Sequence, residues 1–202
     1  MVFNTNKVVL DADFFRNITQ YECGNGLICK LLSEANYFPV MHRYVADVEL
    51  RNNNHLKDLI KQNKIQIVSD KEYISFPDID YDDYFHMAYK KINGFELGDV
   101  DISEYGYDGM RPDESLGEIR SVYLAYKYNY SIFLSDDHGS VMITDIVNTK
   151  KYKLNVKHLE DVLVEGYNSG WNLTWKDIRV TVPAVYKNRK DKCDKLCKLY
   201  QS

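Results

Sequence analysis

The chain has 202 residues, 45% hydrophobic and 28% charged, with a formal net charge of −4. This composition predicts a folded domain with a sizeable core. It excludes recognition of nucleic acid by global charge alone. No apolar run approaches a membrane span, and the N-terminus lacks the basic-then-apolar pattern of a secretory signal. A soluble cytoplasmic protein with no membrane partner is the expectation. The 17 tyrosines suit core packing, with the polar end left for binding surfaces. Cys23, Cys29, Cys193 and Cys197 are spaced C-x5-C and C-x3-C, unlike repeated zinc knuckles, so reduced thiols are expected.

Lys7–Leu10 reads as a first strand and Phe14–Glu22 as a helix with Phe14, Phe15 and Ile18 on one face. Leu27–Ala35 is a second helix. Pro39 fits a helix start, and "VMHRYVADVELRN" carries Met41, Tyr44, Val45 and Val48 as its apolar face. His55–Lys61 is a helix and Ile65–Ser69 a strand. "YDDYFHMAYKKI" forms a helix ending at Gly94, and the Gly- and acid-rich stretch up to Pro112 is an irregular insertion. The acidic run "FPDIDYDDYF" reads as solvated surface. Pro112 and Asp113 open a long helix over "DESLGEIRSVYLAYKYNY". Then follow the strand of "SIFLS", a helix Val141–Val147, a strand in "YKLNV", a helix His158–Gly166 and a mainly helical, basic C-terminal part. Strands alternating with helices predict an α/β fold with a largely parallel sheet.

Two apolar strands run straight into acids: "VVLDADFF" into Asp11 and Asp13, "SIFLSDDHGS" into Asp136 and Asp137. In open α/β sheets ligands bind outside the carboxyl ends of the strands. If these strands are neighbours, their acids converge. Clustered carboxylates repel unless a cation neutralises them, and a hard divalent ion suits oxygen ligands. Glu118 sits one turn into the helix feeding the second strand, so it begins near the same rim. Glu49 lies in "VADVEL", whose direction the sequence does not fix. Each acid alone also suits a helix cap. His138, beside the acids, reads as a polar loop residue.

"VVLDADFF", the acid in "HRYVADVEL", "DESLGEIRSVYLAY" and "IFLSDDHGS" stand in an order that resembles PIN-domain metal-dependent ribonucleases, many of them bacterial toxins. The resemblance covers roughly residues 5 to 150. It implies a PIN-like three-layer α/β/α domain over 1–150 with a central, mostly parallel sheet, and a mainly helical extension over 151–202 packed on it. It implies that Asp11, Glu49, Glu118 and Asp137 hold Mg²⁺ or Mn²⁺ for RNA hydrolysis. Asp136 competes with Asp137, and Asp113 and Glu114 with Glu118; Ser135 hydrogen-bonds at the same site. The implied partners are RNA, an antitoxin protein and a second copy of the chain. The long segment Phe76–Pro112 and the extension depart from the small toxins of that family.

Two alternatives stay open. "VVLDADFF" also resembles the D-x-D signature of haloacid-dehalogenase-type phosphohydrolases, with Asp11 as nucleophile and Asp13 as acid–base. Phe15 stands where that family prefers Thr or Val, and no lysine motif follows. The other is a non-catalytic PIN-like module that binds RNA or protein. In the tail, Lys187, Arg189, Lys190 and Lys192 form a basic cluster in an acidic chain. They are the candidate contacts for RNA phosphates, or else cations suited to a helix dipole.

Overall fold

The computed structural model describes residues 6–19, 26–75, 78–107 and 115–201. Five strands form one all-parallel sheet: β1 (Lys7–Leu10), β2 (Phe38–His42), β3 (Gln66–Val68), β4 (Ile132–Leu134) and β5 (Asn155–Lys157). Their order is β3-β2-β1-β4-β5. Strands covered on both faces are apolar along most of their length, as Val8–Leu10, Pro39–Met41 and Ile132–Leu134 are here. Successive side chains also point to opposite faces. Val8, Leu10, Met41 and Leu134 therefore join one helical layer, and Val9, Val40 and Phe133 the other. The fold is a three-layer α/β/α sandwich.

The first layer holds α1 (Ala12–Thr19), α2 (Gly26–Glu34), α3 (Asn54–Lys61), α7 (Leu159–Asn168), α8 (Trp175–Ile178), α9 (Thr181–Val185) and α10 (Lys190–Gln201). The second holds α4 (Ile79–Asn93), α5 (Leu116–Lys127) and α6 (His138–Val147). As expected, α4 ends at Gly94, whose φ of 77° a β-carbon would strain. Asp80, Asp82 and Asp83 are exposed on α4, while Tyr81, Tyr84 and Phe85 on its other side are buried. Pro112, Asp113, Glu114 and Cys23 lie outside the described residues. Cys29, Cys193 and Cys197 carry no disulfide. Among the described residues, no helix is long and apolar enough to cross a membrane.

One element differs from the sequence reading. Pro39 does not start a helix; it lies inside β2, in register with Val8. The Phe38 amide donates to Asn6 O on the β1 side at 2.6 Å. The next residue, Pro39, therefore turns its nitrogen away from β1. Pairing with β3 begins one residue later, at Val40, so the missing N–H costs no ladder bond. The expected helix over the following residues shrinks to one π-helical turn, Val45–Glu49.

Residues 151–202 contribute more than helices. β5 pairs with β4, and α10 buries Leu196 while Tyr200 donates to Leu163 O at 2.7 Å. The irregular segment after α4 is held from beneath by Arg120 of α5, which is 0% exposed. One arm of its guanidinium donates to Ile102 O (2.8 Å) and Tyr105 O (3.0 Å), and the other to Asp70 and the Tyr81 hydroxyl. Asp70 also accepts from His42 Nε2 (3.0 Å) and the Tyr73 hydroxyl (2.8 Å). The Tyr44 amide donates to His42 Nδ1, so the ring proton sits on Nε2.

Candidate functional site

The sheet is read outward from β1 in two directions, through β2 to β3 and through β4 to β5. The strand order therefore reverses between β1 and β4, whose residues Leu10 and Leu134 pair directly. The crevice outside the carboxyl ends at such a switch point is where open α/β sheets bind ligands. Asp11 is the first residue beyond β1. Its amide extends the ladder to Leu134 O at 3.0 Å, and its carbonyl accepts from Phe15 N at 3.1 Å to open α1. Both ends of its backbone are thus fixed, and the side chain is 1% exposed.

Ser135 follows β4 and is the hub of the site. Its hydroxyl donates to Asp11 Oδ2 at 3.0 Å. With that proton committed, it accepts from the Ser140 hydroxyl (2.8 Å) and the Asp137 amide (3.2 Å). Asp137 Oδ1 accepts from the Gly139 amide at 2.5 Å and caps α6. The helix-cap role considered for this acid is real, and its charge also reaches Asp11 and Glu118.

Glu118 stands in the first turn of α5, whose start lies at the same rim; it is 5% exposed. Glu49 arrives from the π-helical turn after β2. Its approach depends on Gly117: a β-carbon there would lie 2.0 Å from Glu49 Oε1. Arg16 Nη2 donates to the Glu49 carbonyl (2.8 Å) and Nη1 to Asp13 Oδ1 (2.9 Å).

Burial dominates the electrostatics. It pushes the Asp11 carboxyl up to about 7, with the charges of Asp13 and Asp137 adding and the Ala12 amide and Ser135 hydroxyl opposing. Burial, then the Asp11 charge, pushes Glu49 up to about 9 against the pull of Arg16. Burial, then Asp11, Glu49 and Asp137, pushes Glu118 up to about 10. Among the described residues, each of these acids also keeps one buried oxygen with no hydrogen bond: Asp11 Oδ1, Glu49 Oε1 and Glu118 Oε2. Buried acceptors are normally satisfied.

Of the expected acids, Asp11, Glu49 and Glu118 influence one another at this rim, and the charge of Asp137 reaches Asp11 and Glu118. Asp136 does not join them. Its oxygens accept from Asn17 Nδ2 (2.7 Å) and the Leu159 amide (2.8 Å), on the other side of the Ser135–Asp137 chain. Adjacent residues after a strand point to opposite sides, and only the structure tells which is which. Asp13 is half-exposed and ion-paired to Arg16. His138 is exposed at the first turn of α6.

Oxygen-only donors are of the type that would suit a hard divalent ion. The side chains as they stand do not yet surround one point: no group of three His, Cys, Asp or Glu among the described residues is placed to hold an ion.

The basic cluster is divided. Lys192 Nζ pairs with Glu160 Oε2 at 2.6 Å, alongside Lys195 at 2.9 Å, so it anchors α10 to α7. Lys187, Arg189 and Lys190 are exposed. Gly117 was the residue sequence reading passed over; a glycine within a helical pattern signals a close approach. No protein-family model matches the chain, and no match is found among curated proteins or solved structures.

Proposed function

We propose that the chain is a metal-dependent ribonuclease of PIN-domain type, hydrolysing phosphodiesters of single-stranded RNA with Mg²⁺ or Mn²⁺ held by Asp11, Glu49, Glu118 and Asp137. One observation carries this reading. Buried Asp11 and Glu118 and half-buried Glu49, from separate elements, lie within electrostatic reach of one another at the switch point of a parallel sheet, each with a buried oxygen that has no hydrogen bond among the described residues. A hard divalent ion, when bound, supplies Lewis acidity for attack of water on a phosphodiester.

The chain's own residues do the rest. Ser135 pins Asp11 Oδ2 and leaves Oδ1 free to bind. Glu49 and Glu118 would have to give up their protons to hold an ion. The helix cap at Asp137 fixes its orientation. Exposed Lys187, Arg189 and Lys190 lie where α10 begins and suit phosphate contact. The phosphohydrolase alternative asks Asp13 to serve as a free acid–base; its ion pair with Arg16 weighs against that role.

The test is cleavage of a labelled single-stranded RNA by parent and Asp11→Asn with Mn²⁺, Mg²⁺ or EDTA. Cleavage by the parent that EDTA stops and Asp11→Asn lacks, at unchanged circular dichroism, supports the reading. Equal cleavage by Asp11→Asn overturns it. Turnover of p-nitrophenyl phosphate without RNA cleavage points to the phosphohydrolase, and RNA binding without cleavage to a non-catalytic module.

A further inference from the structure

Behind the Ser135–Asp137 chain, on the side away from Asp11, lies a second cleft of about 460 Å³. Asn17, Asp136, His138, His158, Tyr186, Arg189 and Lys192 line it, so α1, α7 and the start of α10 all contribute. Its size suits one nucleotide. The acid on its wall, Asp136, and the neighbouring Glu160 are already matched. Asp136 has both oxygens taken, and Glu160 is held by Lys192 and Lys195.

The donors are not matched. The Arg189 guanidinium has no hydrogen-bond or ion-pair partner among the described residues. His158 Nδ1 lies 2.7 Å from Ser135 O. A carbonyl only accepts, so the proton is on Nδ1, and Nε2 has no protein partner among the described residues. Tyr186 is 4% exposed, and its hydroxyl, close to the Glu160 amide, makes no hydrogen bond of normal geometry. A fork of guanidinium donors, an imidazole and a buried hydroxyl is a set that tetrahedral phosphate oxygens satisfy.

We infer that this cleft is a phosphate subsite gripped by Arg189, His158 and Tyr186, which holds a nucleotide phosphate next to the carboxylate rim. This deepens the ribonuclease reading and rests on it only for the source of the phosphate, an RNA strand. Asp136 and Asp137, back to back on one strand end, then divide the work: one wall of each site per residue.

The experiment is binding in EDTA, where nothing is cleaved, of two probes: a fluorescent oligouridylate and AMP. The proteins are the parent, Arg189→Ala, Arg189→Lys and the control Lys151→Ala, an exposed charge at the opposite rim. Arg189→Ala should weaken binding about tenfold or more, the scale of a charge-assisted hydrogen bond. It should also reduce the slope of log K against log salt by about 0.7, one phosphate contact on a single strand. Arg189→Lys should keep the slope and lose affinity, because the charge stays and the fork goes. Lys151→Ala should change neither. An Arg189→Ala slope equal to the parent's, or no binding of either probe, overturns the subsite. Binding of AMP but not of oligouridylate, with the same Arg189 dependence, upholds it and removes RNA as the source.

Discussion

Two buried acidic clusters hang on the same helix, and they are treated in opposite ways. Arg120 and Glu118 are two residues apart on α5, so they face roughly opposite directions. On the Arg120 side, burial pushes the Asp70 carboxyl up, but His42, Arg120 and Tyr73 outweigh it and hold it well below the usual carboxylate range. On the Glu118 side, burial and like charge outweigh Arg16 and the nearby amide and hydroxyl donors, and three acids rise to about 7, 9 and 10. Burial sets the stakes, and the neighbours set the sign. This chain neutralises a buried acid thoroughly in one place. Leaving three unmatched at a strand-end crevice is therefore a feature of that crevice.

The largest effect should come from breaking the satisfied cluster. Arg120→Met leaves Asp70 buried without its main cation and frees the segment around Ile102 and Tyr105. A loss of about 3–5 kcal/mol is expected in urea unfolding. A loss below about 1 kcal/mol would show that the cluster is not held as described. The same kind of change at the rim should have the opposite sign. Glu118→Gln, at nearly constant size, removes a group that folding disfavours in its charged form. The metal-free protein should gain about 1–3 kcal/mol at pH 8. A loss at that pH would mean Glu118 already has a partner.

The pH dependence sharpens the contrast. Glu49 and Glu118 are raised acids, so the folded state holds protons that the unfolded state has released above about pH 4–5. Stability then falls with rising pH, at about 1.4 kcal/mol per pH unit for each such proton. Between pH 7 and 9, Asp70 is ionised and His42, lowered by burial, is neutral in both states, so neither contributes slope. Metal-free melting temperature should drop across this window, and Glu118→Gln should remove about half of the drop. Added Mn²⁺ should raise the melting temperature more at pH 8.5 than at pH 6.5, because ligand protons must leave. A Mn²⁺ shift that Asp11→Asn retains would place the ion elsewhere. The smallest effect belongs to the surface. Lys192→Ala should cost at most about 1 kcal/mol, as one of two lysines on Glu160.

Much of this was legible in the chain. The short apolar runs ending in Asp11 and Asp137 announced both strand and rim, because two-sided burial demands such runs. The strand-end acids also suit helix caps on sequence grounds, and Asp137 does cap α6. What was not legible depended on the third dimension. Pro39 reads as a helix start because its tolerated place, where one neighbour's ladder has not begun, is a property of β3. The choice between Asp136 and Asp137 turns on Asn17 and the Leu159 amide, 119 and 23 residues away in sequence from their shared partner Asp136. The Arg120 cluster joins β2, the turn after β3, α4 and α5, and no local pattern foretells such an assembly.

Gly117 gives the rim a dimension beyond electrostatics. Alanine would favour α5, since glycine inside a helix costs about 1 kcal/mol relative to alanine. The obstacle is only the far end of the Glu49 side chain, which can swing away. A lineage selected for stability alone would therefore drift to alanine at 117, and one methyl group would evict a carboxylate without altering any charge. Glycine at this position leaves room for Glu49 at the expense of helix strength.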